Sequence, residues 1–97
     1  MSSAAIIDAN GLKLAKGYGV THITHPKTGR YLFYCDLPRD GEEPVTKWVP
    51  PHLRTQIERQ SPERERDDEA VYVVLVTDGN GRPQDARFAF VIERPLT

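Results

Sequence analysis

Residues 71–77, the run VYVVLVT, constrain the fold more than any other segment of the chain. Their apolar, largely β-branched side chains are typical of a buried strand. Alternation along a strand divides these side chains between two faces, so both faces need cover. The run is therefore predicted to be the central strand of a sheet. The side chains of its second face are Tyr72, Val74 and Val76.

Further segments have the composition of strands, and turn residues separate them. Residues 18–24 and 31–37 flank the sequence HPKTGR and predict one hairpin. Residues 71–77 and 87–93 flank DGNGRP and predict a second hairpin. Near the N-terminus, Asn10-Gly11 favours a third hairpin, and a short helix over residues 4–9 is the alternative.

A short surface helix is predicted to begin near Pro51. Val49, Leu53 and Ile57 are spaced four residues apart, as on one face of a helix, and proline suits the first helical position. Residues 58–69 contain many charges and Pro62, and they predict a solvated connector. Residues 38–51, before the helix, are predicted to be a long loop with a short edge strand in its middle.

The fold class predicted from these elements is α+β. We expect an antiparallel sheet of four to six strands with one short helix packed on one face. The chain has 97 residues, which predicts a single domain over residues 1–97. One short helix cannot cover both faces of the central strand. We therefore expect a second copy to cover Tyr72, Val74 and Val76, which predicts a homodimer.

Composition and charge predict a cytoplasmic protein that does not contact membranes. The longest apolar run is residues 71–76, far shorter than the ~20 residues needed to cross a bilayer. The N-terminal residues lack the basic and apolar regions of a secretion signal. A single cysteine, Cys35, excludes an internal disulfide and fits a reducing compartment.

Candidate chemistry is sparse, and we predict no catalytic residues, metal or cofactor. His22, His25 and Cys35 are residue types that bind zinc, and a small zinc-binding domain is one alternative. Residues three apart on a strand face opposite sides, however, so His22 and His25 would point apart. Cys35 is expected in the hairpin core, where a thiol is unreactive, so the chain is predicted not to be an enzyme.

The main alternative, ahead of the zinc-binding domain, is a nucleic-acid-binding accessory protein. Residues 1–34 hold four basic residues against one aspartate, although the whole chain has a net charge of -1. A basic sheet with exposed aromatic residues can stack single-stranded bases. The candidate residues on the hairpin region 13–34 are Lys13, Lys16, Tyr18, Lys27 and Arg30.

The favoured function is that of a small, non-enzymatic protein-binding module that occupies a partner's surface. By analogy, inhibitors and accessory proteins of the phage or mobile-element type have this profile. We expect the partner to bind the long loop and the residues after it, at Arg39, Lys47, Trp48 and His52. The competing interpretation of Trp48 is that it anchors the loop to the core.

Overall fold

Seven antiparallel strands form two sheets in the computed structural model, which describes residues 3–13, 17–60 and 69–94. The strands are β1 (Ser3–Ile7), β2 (Val20–Lys27), β3 (Arg30–Asp36), β4 (Glu43–Lys47), β5 (Arg54–Gln60), β6 (Glu69–Thr77) and β7 (Phe88–Glu93). One sheet has the order β1-β7-β4 and the other β2-β3-β6-β5. The described residues contain no helix, so the predicted α+β class is wrong and the fold is all-β.

The predicted helix is strand β5, which pairs with β6. A spacing of four residues is also a multiple of two, so Leu53 and Ile57 share a face of a strand as readily as a face of a helix. Thr55, half-buried between exposed neighbours, completes the alternation and is β-branched. Pro51 lies in a turn before the strand. Both ends of the predicted connector belong to β5 and β6, and residues 61–68 lie outside the described part.

The predicted hairpin between residues 71–77 and 87–93 is also wrong. β6 lies between β3 and β5 in one sheet, and β7 lies between β1 and β4 in the other. Instead of pairing with residues 87–93, the end of β6 forms an isolated bridge from Thr77 to Pro83 in the intervening loop. Both strands are buried at most positions and on both faces, which is typical of central strands with a neighbour on each side. Separate sheets give each of them a central place.

The other two turns lie where the sequence predicts them. The β2–β3 hairpin is confirmed, with Thr28-Gly29 as a two-residue turn between the paired residues Lys27 and Arg30. Asn10-Gly11 also forms a turn, in which the Gly11 N–H donates to the Asp8 carbonyl at 3.0 Å. The chain returns only as a bridge from Ile7 to Lys13, and the main partner of β1 is β7.

The core lies between the two sheets. Phe33 stacks on Phe90 with ring centroids 4.3 Å apart, which links the four-stranded sheet to the three-stranded one. The proposed self-association residues face this core, with Tyr72, Val74 and Val76 exposed by 3%, 0% and 0%. The three-stranded sheet therefore supplies the cover that was expected from a second copy. Homodimerisation stays a prediction, and it would need a different surface.

Candidate functional site

An apolar groove of about 250 Å³ lies on the outer face of the three-stranded sheet, and we call it the outer groove. Ser3, Ala5 and Ile7 of β1 point into the core, so the residues between them point outward. Ala89 and Val91 of β7 also point outward, and their small side chains leave room above the sheet. The lining residues are Ala4, Ala5, Ile6, Lys47, Trp48, Ala89 and Val91.

Trp48 forms one wall of the outer groove, directly after β4. Its side chain is 73% exposed, so it does not anchor the loop to the core. Its backbone has a φ of 59°, and it is the only non-glycine residue of the described part with a positive φ. A left-handed backbone conformation costs an L residue about 1–2 kcal/mol, and a bulky residue rarely adopts it. The fold therefore holds a strained, exposed aromatic residue beside an apolar groove.

An ion pair spans the outer face of the same sheet. The Lys47 Nζ lies 3.1 Å from the Glu93 Oε2. In the strand register Lys47 lies opposite Ala89, and Glu93 lies two residues beyond Val91 on β7. The two side chains must therefore meet above the row that contains Val91, which is only 6% exposed. An exposed pair of this kind contributes at most about 1 kcal/mol, so a ligand can displace it.

The structure brings together two of the four residues predicted to bind a partner. Lys47 and Trp48 both line the outer groove. Arg39 is exposed in the loop before β4, where its N–H donates to the Glu42 carboxylate at 2.6 Å. His52 is exposed in the turn between β4 and β5 and does not line the groove. The rest of the groove was not predicted from the sequence, because alanine and valine on a strand indicate burial as readily as a surface.

The residues of the nucleic-acid alternative do not form one surface in the described residues. Tyr18 precedes β2, whereas Lys27 and Arg30 flank the turn at the far end of this strand. An eight-residue strand such as β2 is about 25 Å long. The hairpin aromatics Tyr31 and Phe33 are each 0% exposed, so bases cannot stack on them.

The other basic residues add little to such a platform. Lys13 uses its ammonium to donate to the Val20 carbonyl at 3.0 Å. Lys16 lies outside the described residues. The structure thus spreads the described candidate residues over two ends of the hairpin, at least the length of β2 apart.

The three residues of the zinc alternative have separate environments. His22 is exposed and its ring lies 5.5 Å from that of Tyr34, whereas the His25 Nε2 lies 2.8 Å from the Asp85 carboxylate. Cys35 is 0% exposed, and burial, followed by the nearby carboxylates of Asp36 and Glu69, raises the pKa of its thiol to about 12. Such a thiol is a poor nucleophile. Among residues 3–13, 17–60 and 69–94, no three His, Cys, Asp or Glu side chains are placed to hold a metal ion.

A polar network at one end of the sandwich was not predicted from the sequence. The Asp85 carboxylate accepts a hydrogen bond from the Gly29 N–H at 2.7 Å and contacts His25. The His25 ring stacks on Tyr31, whose hydroxyl donates to the Ala9 carbonyl at 2.7 Å. None of these partners is a serine, threonine or cysteine that the histidine could activate. The network joins loops from both sheets, and its contacts indicate a structural role.

Comparison with known proteins adds no family: no family model matches the chain, and neither a curated protein nor a solved structure is significantly similar to it. Across the described residues, no helix combines the length and the apolar character that a membrane span requires.

Proposed function

We propose that this protein is a non-enzymatic protein-binding module that recognises its partner through the outer groove and Trp48. The observation that carries the proposal is Trp48 itself, which is 73% exposed and has a φ of 59° beside an apolar groove. Tryptophan is enriched among the residues that dominate binding free energy. Backbone strain at an exposed aromatic side chain supports a role in binding, because such strain clusters at functional sites.

A change of Trp48 to glycine separates binding from stability. Glycine adopts a positive φ without strain, so Trp48→Gly is expected to unfold in urea within about 1 kcal/mol of the parent protein. A tryptophan buried in the core would instead cost about 3–5 kcal/mol when truncated. If Trp48→Gly is as stable as the parent, a loss of binding can be attributed to the missing tryptophan side chain and not to unfolding.

The binding test is capture from a lysate of the source cell, with and without nuclease treatment, by the parent protein and Trp48→Gly immobilised at equal density. We expect a protein that the parent retains and Trp48→Gly does not. Leu37→Ser is the matched control, because Leu37 is 40% exposed, follows β3 and does not line the groove. Equal capture by the parent and Trp48→Gly would refute the proposal. Capture that nuclease abolishes would favour nucleic acid as the ligand.

A further inference from the structure

We propose that the occupant of the outer groove is an amphipathic helix of another protein, with an apolar stripe and a lysine or arginine toward one end. This inference rests on the proposed function and specifies the chemistry of the partner. Three observations support it: the edges of the three-stranded sheet are closed, its outer face has the dimensions of one helix, and one end of that face carries unbalanced negative charge.

The edges of this sheet are closed to an added strand. Ala4 of β1 exchanges two backbone hydrogen bonds with Tyr18, at 2.9 and 3.1 Å. Strand β4, at the other edge, contains Pro44, which has no N–H to donate. Thr46 of the same strand is hydrogen-bonded to Thr55 of β5 at 2.6 Å, which places β5 beside this edge. A partner strand therefore cannot extend the sheet and must lie on its face.

A helix suits this face better than an extended segment does. The backbone groups of a sheet point within its plane, so an extended segment lying on the face would leave its own N–H and C=O groups without partners. A helix satisfies these groups internally. The outer strands of a three-stranded sheet are about 10 Å apart, close to the diameter of one helix.

The length of the face sets the length of the helix. Strands β1 and β4 each have five residues and span roughly 17 Å. At a rise of about 1.5 Å per residue, this length corresponds to a helix of about 11 residues. Ala4 and Ala89 on the face are small, which allows the helix to approach the sheet closely.

The charge at one end of the face specifies a cation on the partner. Glu43 lies directly opposite Glu93 in the strand register. Like charges in this position repel, and Lys47 pairs with Glu93 alone. Within the described residues Glu43 has no ion-pair partner. A lysine or arginine on the helix would neutralise Glu43, about 13 Å along the strand from Lys47, while apolar side chains fill the groove beside Trp48.

A second copy of this chain is a poorer occupant. The face measures roughly 10 by 17 Å, well below the ~800 Å² that each partner of a stable interface buries. The described residues contain no helix that a second copy could contribute. A helical segment from another protein needs less area, because a groove that admits a few anchoring side chains is enough for moderate affinity.

The test is selection of a displayed random library of 14-residue helical peptides against the full-length protein. We expect enriched peptides to have apolar residues at helical spacing and a lysine or arginine near one end. Binding of the enriched peptides should change the emission of Trp48, the only tryptophan in the chain. Against Glu43→Lys, the enriched charge should change from basic to acidic. Glu58→Lys is the matched control on the four-stranded sheet and should leave the basic preference unchanged.

The outcomes separate the two proposals. Peptides that bind the parent and Glu43→Lys equally well, or that lack helical spacing, would overturn the helical, basic partner while leaving the groove as a binding site. If a protein is captured through Trp48 but no helical peptide is enriched, the partner proposal alone fails. If the enriched peptides bind Trp48→Gly as tightly as the parent, the proposed function fails as well. If the molecular mass of the parent in solution increases with concentration and that of Trp48→Gly does not, the occupant of the groove is a second copy instead.

Discussion

At the scale of single residues, the Asp85 carboxylate contacts two groups that are far away in the sequence, the Gly29 N–H at 2.7 Å and the His25 ring at 2.8 Å. Burial alone would raise the pKa of its carboxyl, but the hydrogen bonds from the Gly29 N–H and His25 outweigh burial and lower it. A carboxylate with a lowered pKa stabilises the folded state above its unfolded pKa. This stabilisation is lost as the pH falls through the folded pKa.

Asp85→Asn tests this contribution. At pH 7 we expect the variant to be about 1–2 kcal/mol less stable than the parent, because it loses charge-assisted hydrogen bonds. The difference should begin to narrow near about pH 4, where the Asp85 carboxyl of the unfolded parent becomes protonated, and should narrow further as the pH falls through the lowered pKa of the folded state. Urea unfolding at several pH values measures both effects. Asp40→Asn is the control, since no described side-chain hydrogen bond or ion pair uses the Asp40 carboxylate. A difference that does not change with pH would contradict this account.

At the scale of elements, the Thr28-Gly29 turn connects β2 and β3 and also contacts the end of β6. Gly29 has a φ of 71°, and its carbonyl accepts a hydrogen bond from the Val76 N–H at 2.7 Å. A Cβ at this position would lie 2.6 Å from the Val76 carbonyl oxygen and 2.8 Å from the Gln84 nitrogen. Both are backbone atoms, which cannot move aside without displacing a strand or loop.

Gly29→Ala is therefore expected to destabilise the protein by more than the left-handed backbone conformation alone would. We expect a loss of at least about 3 kcal/mol, of which about 1–2 kcal/mol comes from the left-handed conformation. Gly81→Ala is the matched control, because Gly81 has a φ of 79° but nothing within 4 Å of the added Cβ. Gly81→Ala should destabilise the protein only by the about 1–2 kcal/mol of the left-handed conformation. Thermal or urea unfolding measures both variants, and equal losses would show that the close contacts at Gly29 are unimportant.

At the scale of the whole molecule, the two sheets depend on one shared core. Phe33 from the four-stranded sheet contacts both Phe88 and Phe90 from the three-stranded sheet. Among the described residues, no further apolar layer packs on the outer face of either sheet. These outer faces carry valines and alanines beside side chains that are half-buried or exposed. We therefore expect the two sheets to unfold together.

Phe33→Ala should destabilise the protein by about 3–5 kcal/mol, because it leaves a cavity between the sheets. Tyr34→Ala is the matched control, since Tyr34 is the next residue on β3 and lies on the outer face beside His22. It is expected to cost about 1 kcal/mol or less. Chemical denaturation followed by circular dichroism and by Trp48 fluorescence should give one coincident transition. Two separate transitions would show that the sheets fold independently.

Local patterns predicted part of the fold and little of the candidate site. The alternation in residues 71–77 correctly predicted a central strand, and HPKTGR correctly predicted the β2–β3 hairpin. The same kind of pattern misassigned β5, because a four-residue spacing satisfies both the helix and the strand periods. Lys47 and Trp48 were selected from the sequence, but β1 and β7, which form the floor of the groove, were not.

Short-range sequence patterns locate most of the strands and turns, because alternation, glycine and asparagine act over a few neighbouring residues. The strand pairing could be learned only from the three-dimensional fold, since pairing joins residues far apart in the chain and several partners satisfy the same local pattern. This pairing placed β6 and β7 in different sheets and buried Tyr72, Val74 and Val76. It also left Trp48 exposed beside an apolar sheet face, which no local pattern distinguishes from a tryptophan in the core.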